Sequence, residues 1–439
     1  MLKRTRSRRQ RLTPSKQRTG HDGHGGKRRV AILYIAGHLP VPPLTGGSGR
    51  VMAIATRLVR GGDRVEVVAS DASLRRADLK VGDLPASVRG NVELSLIRSN
   101  YHHSMGYTAR KLEFVRSALK LTFRAMARRA DVVYATSTPL TVVVPAIVRR
   151  WLRRTPYVFE VRDVWPEAPI ALGALDARWQ QVVARGLART AYRSAGAIVA
   201  LSTGMKEIIV SEYGVNPDKI LVVPNASSLD DTDPDRVADY GTPAFEWPSD
   251  RPQRLIYGGT IGAANDVVWL IDVLERMVSI DRTAVAIIGR GNDRQRLADR
   301  LAQAPQPVQD AVSLVGPMPK GSFVQVLRQA SLSLSLFGDL PILATNSPNK
   351  VFDSWACGVP VAVNNGGWLA DEVVERGAGL ALARDPDDAA SALDAWFERD
   401  EGEARSAALD AVRTTYNWDQ VAAQVGDTIA RVLRSPDRR

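Results

Sequence analysis

Short apolar runs alternate with turn-forming clusters and with longer stretches of helical period along most of the chain. Val30–Ile35 is a continuous apolar run of the kind expected for a buried parallel strand. A loop to Gly49, a helix over Val51–Arg60 and a second strand over Val65–Ala69 complete a βαβ opening. Strands recur at Asp131–Ala135, Tyr157–Val161, Ala197–Leu201 and Ile220–Val223, the last ending in Pro224-Asn225-Ala226. Residues 227–252 are rich in Asp, Pro and Ser, lack an apolar period and read as a linker. The pattern restarts at Arg254–Gly258, followed by a helix over Val267–Met277 and strands at Ala284–Ile288 and Val312–Val315. A helix over Phe323–Gln329, a strand over Leu332–Phe337, a capped helix beginning at Ser347 and a strand over Val359–Val363 follow. Tyr416-Asn417-Trp418-Asp419 caps a last helix ending near Leu433. The pattern predicts an α/β protein of two doubly wound halves, with a cleft between them as the natural ligand site.

The loops carry the candidate chemistry. Glycine-rich turns follow the first strand of each half: Gly46-Gly47-Ser48-Gly49-Arg50 and Gly258-Gly259-Thr260-Ile261-Gly262. Such turns let a ligand approach the backbone and a helix N-terminus. Gly47 and Gly49 match two glycines of a dinucleotide fingerprint, but Met52 stands where the third should be. The stretch Thr345 to Pro360 organises the second half. Ser347 is a suitable N-cap, Pro348 a suitable first helical residue, and Gly358 is placed to stop the helix. Lys350 then falls in the first turn, where a cation is disfavoured by about 0.3–1 kcal/mol. It makes sense there if an anion binds, with Asn349 and Asp353 on the same side. An ordinary capped helix with a solvated lysine is the equal alternative. Arg162, Asp163 and Glu167 follow a strand end, where open α/β sheets bind ligands; the plain alternative is a structural salt bridge. Residues 105–130 form a basic amphipathic helix, with Arg116, Lys120, Arg124 and Arg128 in a stripe. Leu112, Val115, Leu119, Phe123 and Met126 make its apolar face. It could rest on an anionic membrane, but a face buried in the core is the commoner arrangement and the expected one.

Charge changes the picture in one respect. The chain of 439 residues carries a net charge of +12, yet residues 1–29 hold eleven Lys or Arg against one Asp. The tail therefore supplies +10 and the body +2, so no basic binding face is expected on the fold, and nucleic acid is an improbable partner. The tail lacks an apolar core of the secretory type and is expected to be disordered. One cysteine, Cys357, and five histidines speak against disulfides and structural zinc. No apolar run is long enough to span a bilayer. Asp231-Thr232-Asp233 is a formal D-x-D, but it sits in an acidic linker and not after a buried strand.

Taken in order, several pieces resemble glycosyltransferase family 4, of the GT-B fold, and within it the WbuB-type branch. They are Gly46–Arg50, Val-Arg-Asp-Val-Trp-Pro-Glu at 161–167, Val-Pro-Asn at 223–225 and Gly-Gly-Thr-Ile-Gly at 258–262. They continue with Gly289-Arg290-Gly291, Ser-Pro-Asn-Lys-Val-Phe-Asp at 347–353 and Ala-Cys-Gly-Val-Pro at 356–360. The resemblance implies a basic tail (1–27), an acceptor-side domain (28–226), a linker (227–252), a nucleotide-sugar domain (253–415) and a helix (416–439) crossing back to the first domain. It implies retaining transfer of a sugar from a nucleotide donor, with UDP favoured, to a glycan or lipid-linked acceptor in surface polysaccharide synthesis. No metal or other cofactor is expected. The expected location is the cytoplasm, or the cytoplasmic face of a membrane as a peripheral enzyme. Catalysis is expected from Arg162, Asp163 and Lys350, and donor binding from Gly259, Thr260, Gly262, Arg290, Ser347, Asn349, Lys350 and Asp353. The acceptor-side loop would be Gly47, Ser48, Gly49 and Arg50. The family's two-glutamate motif falls on Thr345 and Asp353, its diphosphate-gripping Arg and Lys are replaced near Thr260 and Asn265, and its usual histidine aligns with Arg162. The rival readings are a GT-B sugar-nucleotide epimerase and a non-catalytic scaffold using the basic tail.

Overall fold

The structure, a computed structural model, describes residues 29–39, 49–76, 80–83, 91–101, 105–232 and 245–435. The basic tail, Gly46 to Ser48 and the middle of the linker lie outside them.

Seven parallel strands form the first sheet: β1 Ala31–Ala36, β2 Arg64–Ser70, β3 Glu93–Ile97, β4 Val132–Thr136, β5 Tyr157–Val161, β6 Ala197–Ala200 and β7 Ile220–Val222. Their order is β3-β2-β1-β4-β5-β6-β7, so the winding reverses between β1 and β4. Six parallel strands form the second: β8 Gln253–Thr260, β9 Thr283–Arg290, β10 Val312–Val315, β11 Leu332–Ser335, β12 Val361–Val363 and β13 Gly379–Ala381. Their order is β10-β9-β8-β11-β12-β13, with the reversal between β8 and β11. The predicted doubly wound halves are present. The reading missed β3 and β13, two short edge strands; Gly379-Leu380-Ala381 carries almost no strand signature.

Nine helices bear on the site and its surroundings. They are α1 Arg50–Arg60, α2 Tyr107–Met126, α3 Val144–Arg153, α4 Arg178–Ser194, α5 Thr203–Tyr213, α6 Val267–Leu274, α7 Lys320–Leu327, α8 Asn349–Ala356 and α9 Trp418–Arg434. On one side of the first sheet, Leu121, Ala146, Ala188 and Met205 bring α2, α3, α4 and α5 into a single core. On the other side, Ile54 and Leu58 of α1 pack with Val421, Val425 and Ile429 of α9. The last helix therefore returns to the first half. Asn417 caps it by accepting the Gln420 amide at 2.9 Å.

Two expectations are corrected. Helix α8 starts at Asn349, with Pro348 at the cap position and no side-chain cap. Ser347 is not the cap, because its hydroxyl accepts the Asn225 amide of the first half at 3.1 Å. Gly358, at φ +69°, lies where the helix was expected to stop. The apolar face of α2 is not core. Leu112, Val115 and Leu119 are about half exposed and Phe123 is 78% exposed. The inward face is instead built from small and aliphatic residues, Ala118, Leu121 and Ala125, together with buried Glu113. Part of the basic stripe turns back to the fold: Lys120 donates to the Arg98 carbonyl, Arg124 to the Leu96 carbonyl, and Arg128 pairs with Glu66.

Candidate functional site

The winding reversal of the second sheet sets the site. At such a reversal the connections leave in opposite directions and open a crevice at the strand ends. Here the crevice is floored by the end of β8, where Gly259 and Thr260 are exposed. Gly259 adopts φ +147°, a conformation that side chains other than hydrogen rarely allow. Gly289 of β9 backs against it so closely that a Cβ would stand 1.9 Å from the Gly259 carbonyl oxygen. Exposed Arg290 follows.

Lys350 enters this crevice from α8. Its ammonium nitrogen lies 4.1 Å from the centre of the Tyr257 ring and would be 3.3 Å from a Cβ on Gly259. That nitrogen is buried and makes no hydrogen bond among the described residues; the adjacent Asn349 Oδ1 is in the same position. Burial pushes the Lys350 amine down to about 7. The ring face supplies some cation attraction, and the Tyr257 hydroxyl is committed to the Thr260 carbonyl at 2.6 Å. A buried donor without an acceptor costs about 1–3 kcal/mol, so this lysine is matched to something the described residues do not supply. A group with negative oxygens would satisfy it.

Asp353 lies one turn further along α8. Its carboxylate accepts from the Ser227 hydroxyl at 2.7 Å and faces Lys320 at 3.5 Å. Lys320 opens α7 just after the Gly316-Pro317 turn at the end of β10. Sequence reasoning did not single it out, although its place after a strand-end glycine turn was a signal.

Arg50 corrects the acceptor-side expectation. It is fully buried and each of its nitrogens is bonded: to Glu160 at 2.9 and 2.8 Å, to the Val223 and Pro224 carbonyls at 3.1 and 2.7 Å, and to Asn225 Oδ1 at 3.3 Å. Burial would push the Glu160 carboxyl up, but the Arg50 guanidinium and hydrogen bonds from Thr136 and Tyr134 outweigh it and hold it below its ordinary value. Glu160 went unnoticed in the sequence because it hides inside an apolar strand. Asn225 then carries the network across to the second half, its side-chain amide donating to the Ser347 carbonyl at 2.6 Å. Ser202 donates to the Thr345 carbonyl at 2.6 Å. The Gly-Arg and Val-Pro-Asn pieces, with Ser347, thus tie the two halves together beside the cleft.

At the end of β5, Arg162 and Asp163 are partly exposed, and the Arg162 amide donates to the Ser137 hydroxyl. Asp163 makes no side-chain hydrogen bond among the described residues. Burial pushes its carboxyl up, opposed by the Arg162 guanidinium. Glu167 takes the plain alternative: it pairs with Arg185 at 2.9 Å and accepts from the Tyr213 hydroxyl at 2.7 Å. Asp71, after β2, accepts the Ser99 amide at 3.0 Å.

Two parallel-sheet halves that meet across a cleft, with a C-terminal helix returning to the first, define the GT-B architecture. Residues 45–226 match the family model of the glycosyl transferase 4-like domain, and residues 252–399 match that of glycosyl transferases group 1. The chain belongs to the GT-B glycosyltransferases. Among solved structures it is similar to HepE of Anabaena in complex with UDP and glucose, at 16% identity and a TM-score of 0.63, covering 92% of this chain and 100% of that one. Sucrose-phosphate synthase of Thermosynechococcus elongatus gives 14% identity and a TM-score of 0.67, covering 92% and 99%. WaaG, a glycosyltransferase involved in lipopolysaccharide biosynthesis, gives 17% and 0.58, covering 90% and 98%. At these identities the likeness is one of fold. No curated protein sequence matches the chain.

Proposed function

We propose that this glycosyltransferase transfers a sugar with retention from a UDP-linked donor to a glycan or lipid-linked acceptor in surface polysaccharide synthesis, without a metal ion, at the cytoplasmic face of a membrane. The observation that carries the donor reading is the buried, unpartnered Lys350 nitrogen against Gly259. The donor diphosphate lies over the Gly259–Gly262 turn and beside Arg290. Lys350 and the uncapped first turn of α8 stabilise charge on the departing nucleoside diphosphate. A single desolvated lysine stands in for the Arg and Lys that the family places after this turn. Asp353 and Lys320 are set to hold ribose hydroxyls, and Arg162 and Asp163 to position the transferred sugar or the acceptor hydroxyl. The UDP and glucose bound to HepE, and the lipopolysaccharide role of WaaG, support the choice of nucleotide and pathway class.

An epimerase would need acid–base groups around the same cleft. Glu160 and Glu167 are committed to Arg50 and Arg185, which leaves Asp163 alone at the end of β5. That disfavours the rival reading. A thermal-shift panel of UDP, GDP, ADP and dTDP tests the donor. UDP at about 100 times its dissociation constant adds about 2.7 kcal/mol of stability, and the other three far less at equal concentration. A larger shift with another base would replace UDP as the donor nucleotide, and no shift with any would overturn the donor site. Loss of transfer in Lys350→Ala then checks the leaving-group role.

A further inference from the structure

Three neighbouring helices of the first half leave a large apolar surface uncovered. Nine of the twelve exposed large hydrophobic side chains among the described residues lie on α2, α3 and α4. They include Leu119 and Phe123 on α2, Trp151 and Leu152 on α3, and Trp179 and Val182 on α4, all more than half exposed. Monomeric proteins rarely leave this much apolar surface together without a partner for it. The helices are held as one face. Their inner sides share a single core, Arg149 of α3 donates to the Ala125 carbonyl of α2 at 2.6 Å, and Lys111 of α2 donates to Gln180 of α4 at 2.7 Å.

Charge identifies the occupant. Setting aside Arg149, which is buried, and Arg185, which pairs with Glu167, helix α2 carries five Lys or Arg, α3 two and α4 three, while the one acidic residue on the three is Glu113, which is buried. The near-neutral body of the chain therefore conceals a strongly basic face, contrary to the expectation drawn from net charge. A second copy of the chain brought against this face would set basic against basic. Aromatic and aliphatic tips rimmed by arginines instead match the interface of a bilayer containing anionic lipid.

We propose that α2, α3 and α4 form a docking face for an anionic lipid bilayer, with Phe123, Trp151 and Trp179 inserted among the acyl chains. This deepens the lipid-linked acceptor reading and rests on it for its purpose, though not for its observations. The geometry gives docking a direction. Phe114 of α2 packs edge-on against Trp165, with ring centres 6.4 Å apart, and Trp165 directly follows the Arg162-Asp163-Val164 segment. The N-terminal end of the docking helix therefore reaches the acceptor side of the cleft, so a lipid-borne hydroxyl leaving the bilayer surface would arrive there.

The test is co-sedimentation of the full-length protein with vesicles of phosphatidylcholine alone and of phosphatidylcholine mixed with phosphatidylglycerol. Wild-type protein binds the mixed vesicles and binds the neutral ones at least about tenfold more weakly. The triple variant Phe123→Ser, Trp151→Ser, Trp179→Ser loses binding to the mixed vesicles by about tenfold or more. Arg116→Glu, Arg153→Glu, Arg178→Glu does the same, and these exposed positions leave the UDP thermal shift unchanged. Unaltered vesicle binding by both triple variants would assign binding to the basic N-terminal tail and overturn the proposal. A wild-type dimer in sedimentation velocity that the serine variant converts to a monomer would overturn it in favour of a second copy. Vesicle binding with no UDP shift would count against the donor reading alone, and a UDP shift with no vesicle binding against the docking face alone.

Discussion

Arg50 in the first half and Lys350 in the second are both cations buried near strand ends, and the two are treated in opposite ways. Arg50 in the first half has every nitrogen bonded and a carboxylate, Glu160, at 2.8 Å. Lys350 in the second half has an aromatic ring and no acceptor. Both follow glycine-rich or turn-rich loops, and both belong to segments that resemble the same family. Burial of a charge therefore does not by itself mark a ligand site; what sets Lys350 apart is a buried charged group with no acceptor among the described residues, placed at a strand-end glycine turn. The satisfied cation is a strut at the junction of the halves, and the unsatisfied one is the proposed receptor.

Breaking the strut gives the largest expected effect. Arg50→Met leaves Glu160 buried without its cation and lowers unfolding free energy by about 3–5 kcal/mol. The double variant Arg50→Met, Glu160→Gln recovers much of that loss, which chemical denaturation would read directly. Lys350→Met goes the other way: removing a buried amine with no acceptor raises the stability of the ligand-free protein by about 1–3 kcal/mol. A fall in its denaturation midpoint would mean that Lys350 is structural too, and the contrast between the two cations would collapse.

The pH dependence sharpens the same contrast. The folded-state amine of Lys350 sits at about 7, below its ordinary 10.5. The unfolded chain thus binds more protons between those values, and unliganded stability from this group rises with pH through that window. The cost is present in full below about 7 and gone above 10.5. The stability advantage of Lys350→Met should therefore shrink as pH rises from neutrality toward 10, as paired denaturation curves would show. UDP affinity of the wild type should fall with pH over the same range, by up to about tenfold per unit, because a diphosphate needs the protonated form. The smallest effect belongs to the junction. Ser347→Ala removes one hydrogen bond to Asn225 and costs about 1 kcal/mol, with a weaker effect on UDP binding than any change at Lys350.

Much of this was legible in the sequence. Continuous apolar runs such as Val30–Ile35 and Ala284–Ile288 fall on buried strands, and Lys350 lies in the first turn of a helix as expected, although the sequence left an anion partner and a solvated lysine as equal alternatives. What the sequence concealed was pairing across long separations. Nothing local tells that Arg50 meets Glu160, 110 residues away, or that Ser347 serves Asn225 and not its own helix. Periodicity likewise showed that α2 has an apolar face but not which side the sheet would cover. Small residues such as Ala118 and Ala125 allow the helix to lie close, and so leave Leu119 and Phe123 outside. Net charge misled because acidic residues elsewhere balance the basic face of α2 to α4.

The most direct test of the central claim is calorimetric titration of UDP into wild-type and Lys350→Met protein near neutral pH. The account predicts binding to the wild type with proton uptake from the buffer. For Lys350→Met, folded and more stable than wild type, it predicts an affinity weaker by about 2–5 kcal/mol and no proton uptake. Equal affinity in the two proteins would contradict it, and Lys350 would then be a buried cation without a ligand.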